Sequence, residues 1–193
     1  MDLSTEFPLS KENKEKGTRR LAREKVMQII LAHQFSETPW QELFNHIFFR
    51  KFKFEIPEKI EGKKLLKPEE IYELEADIPI EWNEIEIIYA RELIKRIIED
   101  KEILDDLIKR HTKNWELDRI ANIDKIAIKI AIQEMKYFPE IPVKVSINEA
   151  IELSKKYSTS RSGTFVNGVI ETIRHELEQN NQIVKRGKGL KTN

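Results

Sequence analysis

Apolar residues recur at helical spacing along most of this chain. Between Thr18 and Phe35 they lie three, four and seven residues apart, which predicts a first amphipathic helix. Pro39 begins a second predicted helix, and the helical pattern returns at Trp82 for two more. Residues from about 53 to 80 form a charged stretch without this pattern, punctuated by Pro57, Gly62, Pro68 and Pro79. A stretch this long without regular structure indicates an insertion rather than core.

The segment from about Glu116 to Phe138 differs from the other predicted helices. Its apolar side chains project in nearly every direction, which predicts the central and most buried helix. Pro139 and Pro142 end it. Glu134 lies on its buried side, and the simpler interpretation is a carboxylate bonded to a neighbouring helix terminus rather than a functional one.

Two further helices complete the pattern. Ser146-Ile-Asn-Glu149 has the form of a capping box, which predicts a helix from Ser146 to about Tyr157. The last predicted helix carries Phe165 on its apolar face, and Gly168, one turn further, is expected to be a close-packing site. Residues 1–17 are predicted to be a flexible head and residues 180–193 a flexible basic tail, which leaves a single helical domain over 18–179.

Composition narrows the class of protein. Charged residues make up 35% of the chain, against roughly 25% in an average globular protein, and only six residues are glycine. Both values favour an all-α fold. The absence of cysteine excludes a disulfide scaffold, a thiol nucleophile and cysteine-ligated metal sites. No apolar run approaches about 18 residues and the start of the chain lacks an apolar core, so we expect a cytoplasmic protein.

The net charge of zero hides an uneven distribution. Residues 11–25 carry seven basic side chains against three acidic ones, and residues 55–105 carry 16 acidic against 8 basic. The last twelve residues carry four basic side chains and no acid. This polarity suggests an anionic partner at one place and a cationic partner at another, although charge runs are often only solvated faces.

No enzymatic motif is present in the sequence. The stretch from Gly163 to Gly168 has glycines at loop spacing, but no lysine follows it, so it is not a phosphate-binding loop. The four histidines are not spaced as zinc ligands. We therefore expect no catalytic residue, no metal site and no cofactor.

Three arginines stand at the start of the first helix: Arg19, Arg20 and Arg23. Positive charge there opposes the helix dipole, so the placement makes sense if an anion binds at this end, where free N–H groups and guanidiniums converge. Guanidinium groups also suit phosphates and can stack on bases. A solvated basic helix start is an equally good interpretation of the arginines alone.

A second window combines aromatic and basic residues. Lys155, Lys156 and Tyr157 end one predicted helix, and Arg161 and Phe165 stand at the start of the next. This composition is typical of a platform on which single-stranded nucleic acid stacks. By helical spacing alone, a core anchor is the favoured interpretation of Phe165. The residues alone therefore indicate a helical binding protein, with RNA as its candidate ligand.

Three stretches together resemble the NusB family of transcription antitermination factors. They are RRLAREKVMQIILAHQF at 19–35, WELDRIANIDKIAIKIAIQEM at 115–135 and IPVKVSINEAIELSKKYSTSRSGTFVNGVIETI at 141–173. The third is the most specific, because INEAIEL followed at a fixed distance by FVNGV is close to a signature. The resemblance covers about residues 18–178.

The resemblance implies an all-α fold of about seven helices in two packed bundles, without catalysis. It implies a factor that binds the boxA sequence of ribosomal RNA leaders as a single strand. The factor would do so together with NusE, a small-subunit ribosomal protein, in an antitermination complex on RNA polymerase. Family members occur as monomers or homodimers.

Carried onto this chain, the resemblance implies RNA contacts at the arginine-rich start and at two aromatic positions: Arg19, Arg20, Arg23, Tyr157 and Phe165. It also implies that Asp118 and Asp124 face NusE, a basic protein.

Two positions depart from the family pattern. Leu31 replaces a frequent aromatic, and Arg161 stands where an acid is common, at the centre of the expected RNA surface. The alternative function is therefore a protein-interaction scaffold with little affinity for RNA.

Overall fold

The structure, a computed structural model, describes residues 15–49, 80–112 and 119–187. Within these residues the chain folds into seven α-helices, which confirms the predicted all-α class. They are α1 (Arg19–Phe35), α2 (Trp40–Phe49), α3 (Glu84–Glu99), α4 (Lys101–His111), α5 (Asn122–Tyr137), α6 (Val143–Tyr157) and α7 (Ser162–Gln179). Most of the predicted insertion, the first 14 residues and the last six lie outside the described residues.

The helices pack as two bundles around α5. Helices α2 and α3 pack on α1 in one bundle, and α6 and α7 pack on α5 in the other, with α4 against α7. Helix α5 also contacts α1 and α3. Every residue from Ile126 to Met135 is buried, so the prediction of a central helix is confirmed.

Polar side chains buried on α5 are bonded to other helices. The Lys129 ammonium lies 2.7 Å from a carboxylate oxygen of Asp105, and the Gln133 amide donates to Asp100 over 2.9 Å. Glu134 accepts from Arg23 on α1 and from the hydroxyl of Tyr89 on α3. The predicted hydrogen bond between the Glu134 carboxylate and a helix terminus is therefore wrong, because the side chains of Arg23 and Tyr89 donate to this carboxylate instead.

Helix α1 begins where the sequence predicts. The Thr18 hydroxyl accepts from the backbone N–H of Leu21 over 3.2 Å and caps the helix. Just before it, β1 (Glu15–Lys16) pairs in parallel with β2 (Ile80–Glu81). A Cβ on Gly17 would lie 2.3 Å from the Trp82 ring, so only glycine fits. The predicted flexible head is therefore too long, since residues 15–17 are paired and packed.

Helix α6 begins three residues before the predicted capping box. Pro142 supplies the extended N-cap residue, and the Ser146 N–H already bonds to the Pro142 carbonyl over 3.2 Å. Ser146 is consequently buried inside the helix and caps nothing. Glu149 is released from the predicted capping role and pairs with Arg20 instead.

The glycines of α7 have roles opposite to the prediction. A Cβ on Gly168 would meet nothing within 4 Å, so the predicted close-packing site is wrong. A Cβ on Gly163 would lie 2.9 Å from Cγ of Lys155. Gly163 therefore lets the first turn of α7 approach the last turn of α6.

The chain after α7 turns back onto α5. Ile183 packs against the core, and the Lys185 ammonium donates to the carbonyls of Glu134 and Phe138 at 3.0 and 3.1 Å. The Arg186 N–H bonds to the Pro139 carbonyl over 2.9 Å. The prediction of a flexible tail from residue 180 is thus wrong up to residue 187, because this stretch supplies partners for the end of α5. None of the described helices is long and apolar enough to span a membrane.

Candidate nucleic-acid interface

The three arginines of α1 point to different surroundings, because successive helical residues are turned by about 100°. The Arg19 guanidinium stacks on the ring of Tyr89, 3.9 Å from its centroid, and Nε lies 2.6 Å from a carboxylate oxygen of Glu86. Its side chain is about a quarter exposed. Arg19 therefore faces α3 rather than open solvent.

Arg23 is a core residue. Its side chain is 3% exposed and donates from Nε to Glu134 over 2.7 Å, with Nη1 3.6 Å from Glu149. Burial lowers the pKa of Arg23, but the charge and hydrogen bond of Glu134 outweigh it and leave the pKa above its ordinary value. The expected RNA contact of Arg23 does not fit this position, since its guanidinium is enclosed by carboxylates.

Arg20 is the accessible member of the three, with a side chain 66% exposed. Its guanidinium binds the Glu149 carboxylate through both Nη2 and Nε, at 2.8 and 3.1 Å. The hydrogen bond and charge of Glu149 raise the pKa of Arg20. An anion that approaches Arg20 therefore competes with Glu149 for the same fork of donors.

Glu24 holds the aromatic residue at the end of α6. Its carboxylate accepts from the Tyr157 hydroxyl and from the Lys156 ammonium, the latter over 3.0 Å. Burial raises the pKa of Glu24, but these two bonds outweigh it and lower the pKa overall. The Lys156 ammonium also lies 4.9 Å from the centre of the Tyr157 ring. The ring is half-buried and fixed in orientation.

Arg161 and Phe165 lie at the start of α7. Arg161 is the exposed N-cap residue, and its guanidinium has no hydrogen-bond or ion-pair partner among the described residues. Phe165 is half-buried and packs against the core while part of its ring stays accessible. Both interpretations of Phe165, a core anchor and a stacking group, are therefore compatible with its position.

A line of contacts joins these residues into one surface. Arg20 reaches α6 through Glu149, α6 returns to α1 through Glu24, and the close approach at Gly163 brings α7 against α6. We call this surface the α1–α6–α7 face; its functional candidates are Arg20, Lys156, Tyr157, Arg161 and Phe165. Of the predicted RNA-binding residues, Arg19 and Arg23 lie behind this face.

Sequence reasoning missed the carboxylates of this face. Glu24 follows Arg20 by one helical turn and Glu149 precedes Lys156 by two, so each acid lies on the same side of its helix as a cation. These signals were present, but carboxylates are so frequent in this chain that no single pair is informative.

The two acidic positions expected to face a partner protein are Asp118 and Asp124. Asp118 lies outside the described residues. Asp124 lies in the first turn of α5 and is 4% exposed, and its Oδ1 has no hydrogen-bond partner among the described residues. The expectation of an open acidic position at Asp124 is therefore not met.

Within the described ranges, no three histidine or carboxylate side chains lie close enough together to hold a metal ion. His33 bonds to the Thr38 carbonyl over 3.0 Å, and His111 bonds to Glu176 over 2.7 Å. These two histidines have structural partners.

Comparison with known proteins gives one family. The model described as the NusB family matches residues 20–175. The transcription antitermination protein NusB of Salinibacter ruber is 45% identical over 102 residues, which is 53% of this chain and 64% of that protein. The protein of the same name from Clostridium botulinum is 39% identical over 116 residues, 60% of this chain and 81% of that protein. The chain thus spans less than two thirds of the Salinibacter protein.

Solved structures share the fold. NusB from T. maritima superposes with a TM-score of 0.62 at 28% identity, over 83% of this chain and 93% of that one. A chain from the crystal structure of antitermination factors NusB and NusE in complex with dsRNA superposes with a TM-score of 0.58 at 20% identity. That match covers 82% of this chain and 96% of the other. At such identity the second likeness shows the fold alone.

Proposed function

This chain belongs to the NusB family, and we propose that it is a transcription antitermination factor that binds boxA-type single-stranded RNA of ribosomal RNA leaders. It does so together with NusE, in the antitermination complex on RNA polymerase. The proposal assigns it no catalysis and no cofactor, and places it in the cytoplasm. The family model over residues 20–175 and the similarity to transcription antitermination proteins named NusB support it.

The observation that carries the RNA-binding part is the α1–α6–α7 face. It carries the cations of Arg20, Lys156 and Arg161 together with the half-buried rings of Tyr157 and Phe165, and the Lys156 ammonium lies 4.9 Å from the centre of the Tyr157 ring. Cations next to aromatic rings suit a single strand, because the phosphates meet charge while the unpaired bases stack. Tyr157 is the better-defined platform of the two, since Glu24 fixes its hydroxyl.

RNA that binds to this face has to displace carboxylates from the cations. A phosphate that reaches Arg20 replaces Glu149, and one that reaches Lys156 replaces Glu24. Glu149 and Glu24 are only 15% and 14% exposed, so displacement of either carboxylate by a phosphate leaves a largely buried acid with one bond fewer. The carboxylates therefore weaken binding to any phosphate chain and leave selectivity to the base contacts.

The partner-binding part of the proposal rests on the family resemblance. Asp118 remains the candidate contact for NusE. The Asp124 side chain is almost fully buried in the first turn of α5, so we expect it to support the fold there and not to contact NusE directly. A charge reversal at Asp124 is thus expected to disturb the fold as well as the partner surface.

Fluorescence anisotropy tests the proposal with a boxA-like 12-mer and a scrambled 12-mer, each with and without NusE. We expect selective binding of the boxA-like RNA that NusE strengthens. Arg20→Ala and Tyr157→Ala should each weaken it, and the Tyr157 change should cost roughly 1–3 kcal/mol of binding if a base stacks on the ring.

The matched control is Arg110→Ala. Arg110 is also an exposed arginine bound to a carboxylate of another helix, at 3.0 Å, but it lies on α4 and its partner Glu176 is at the C-terminal end of α7, three turns from Phe165. Equal weak affinity for both RNAs, with NusE binding retained, would instead support a protein-interaction scaffold. Equal losses in the Arg20 and Arg110 variants would show that only net charge matters.

A further inference from the structure

A cavity of about 410 Å³ lies at the C-terminal end of α1, opposite the end that carries Arg20. None of its lining residues belongs to α6 or α7. Its apolar wall is formed by Ile30 of α1 with Ile97 and Ile98 of α3. Its polar wall comes from the starts of α4 and α5. The volume is in the range of small-molecule sites, roughly 300–1,000 Å³.

Three lysines line this cavity with a single carboxylate. Lys129 is 3% exposed, and its ammonium lies 2.7 Å from Asp105. Lys101 is exposed and Lys125 is half-buried, and among the described residues neither ammonium has a carboxylate partner. Because Asp105 balances only one lysine, the wall carries two uncompensated positive charges at neutral pH.

Hydrogen-bonding groups complete the lining. His33 and Asn122 belong to it, and the His33 ring is held in place by donating from Nδ1 to the Thr38 carbonyl. The cavity thus has an apolar side that can contact the hydrocarbon part of a ligand, and a polar side with excess positive charge. Such a division orients a ligand that has one apolar and one anionic end.

We propose that this cleft is a binding site for a small organic phosphate, with the phosphate between Lys101 and Lys125 and its apolar body against the isoleucines. A phosphomonoester carries about two negative charges at neutral pH, which equals the excess of the wall. Lysines bind phosphate as point charges without the planar match that arginine and carboxylate share. The site is independent of the α1–α6–α7 face.

Titration of the full chain followed by amide NMR tests the site, with three probes. Phenyl phosphate has both the apolar ring and the phosphate, inorganic phosphate has only the anion, and benzyl alcohol has only the ring. We expect phenyl phosphate to shift the amides of Ile30, Ile98, Lys101 and Asn122 with a dissociation constant of about 1 mM or tighter. Either partial probe should bind about tenfold more weakly.

The variant for this test is Lys101→Gln with Lys125→Gln. Neither lysine is in an ion pair with the described residues, so the change leaves no buried carboxylate unpaired, and unchanged circular dichroism checks the fold. Binding of phenyl phosphate should weaken by about tenfold, or about 1.4 kcal/mol. Lys144→Gln, an exposed lysine on α6, is the matched control and should bind as the wild type does.

Three results would overturn the proposal: shifts spread over surface lysines, unchanged binding in the double variant, or equal losses in the Lys144 control. Arg20→Ala should leave phenyl phosphate binding intact. Because that change affects only the α1–α6–α7 face, failure of RNA binding and failure of the cleft are separable.

Discussion

The two basic regions at opposite ends of α1 differ in how their charges are balanced. At the N-terminal end, Arg19, Arg20 and Arg23 each lie within salt-bridge distance of a carboxylate on another helix. At the other end, the cleft brings together three lysines and one carboxylate. The arginines lie within five residues of one helix yet are largely neutralised, whereas the lysines come from two helices, α4 and α5, and share an excess of charge.

The number of basic residues in a stretch of sequence therefore does not measure how much positive charge is available to a ligand. A guanidinium offers a fork of donors that a carboxylate fits, so arginines near packed helices acquire partners. A lysine at a cavity rim keeps its ammonium hydrated and meets a partner only where a carboxylate lies within reach. Four substitutions test this contrast, in order of decreasing expected change.

Arg23→Ala should lower the free energy of unfolding by roughly 3–5 kcal/mol, because it leaves the buried carboxylate of Glu134 without its charged partner. Urea denaturation followed by circular dichroism measures this. Arg20→Ala, which removes a neighbouring exposed arginine, should leave stability nearly unchanged. Similar small losses in both variants would mean that the arginine end is held by packing alone.

Arg161→Asp tests an arginine that no described residue neutralises. The change removes a cation that attracts any phosphate and adds an acceptor for a base amino group. The ratio of boxA-like to scrambled affinity should rise about tenfold, or about 1.4 kcal/mol. Anisotropy with both RNAs at one salt concentration measures the ratio, and an unchanged ratio would place Arg161 outside the RNA contact.

Glu149→Gln should free Arg20 for phosphate. We expect affinity for both RNAs to rise by a few fold, and the magnitude of the log–log salt slope to increase by roughly 0.7 for one added phosphate contact. Glu152→Gln is a suitable control, because Glu152 bonds to Lys155 rather than to an arginine. A slope that stays constant in Glu149→Gln would contradict the idea that Glu149 competes with RNA.

Lys185 adds a further cation near Glu134, at a half-buried position where solvent screens its charge. Burial lowers the pKa of Lys185 to about 8, against 10.5 in the unfolded chain. Between these values the unfolded state holds more protons, so stability rises with pH. The wild type should therefore gain stability relative to Lys185→Met as the pH increases from 8 to 10. A difference that stays flat would show that the ammonium is hydrated.

Local signals predicted much of the fold. The apolar spacing between Thr18 and Phe35 predicted the bounds of α1, and the apolar residues on all sides of the segment that ends at Phe138 identified α5 as the central helix. Both features depend only on neighbours in sequence. Tyr157 could also be predicted as a candidate site residue, because the aromatic and basic residues around it are adjacent along the chain.

Features that depend on a second helix could not be predicted in this way. The burial of Arg23 is set by where α5 places Glu134, and the close contact at Gly163 is set by the crossing of α6 and α7. The capping box failed because Pro142 starts α6 earlier. The lysine cleft was invisible for the same reason, as its residues converge only in the folded chain.

The ion pairs of α1 also have a consequence for how the chain folds. Arg23 meets Glu134 across 111 residues, Arg20 meets Glu149 across 129, and Glu24 meets Lys156 across 132. Closing a loop of that length costs about 4 kcal/mol of chain entropy before any contact is gained. We therefore expect helical signal to develop well before these pairs form, and folding to be slower than in a helical bundle built from local contacts.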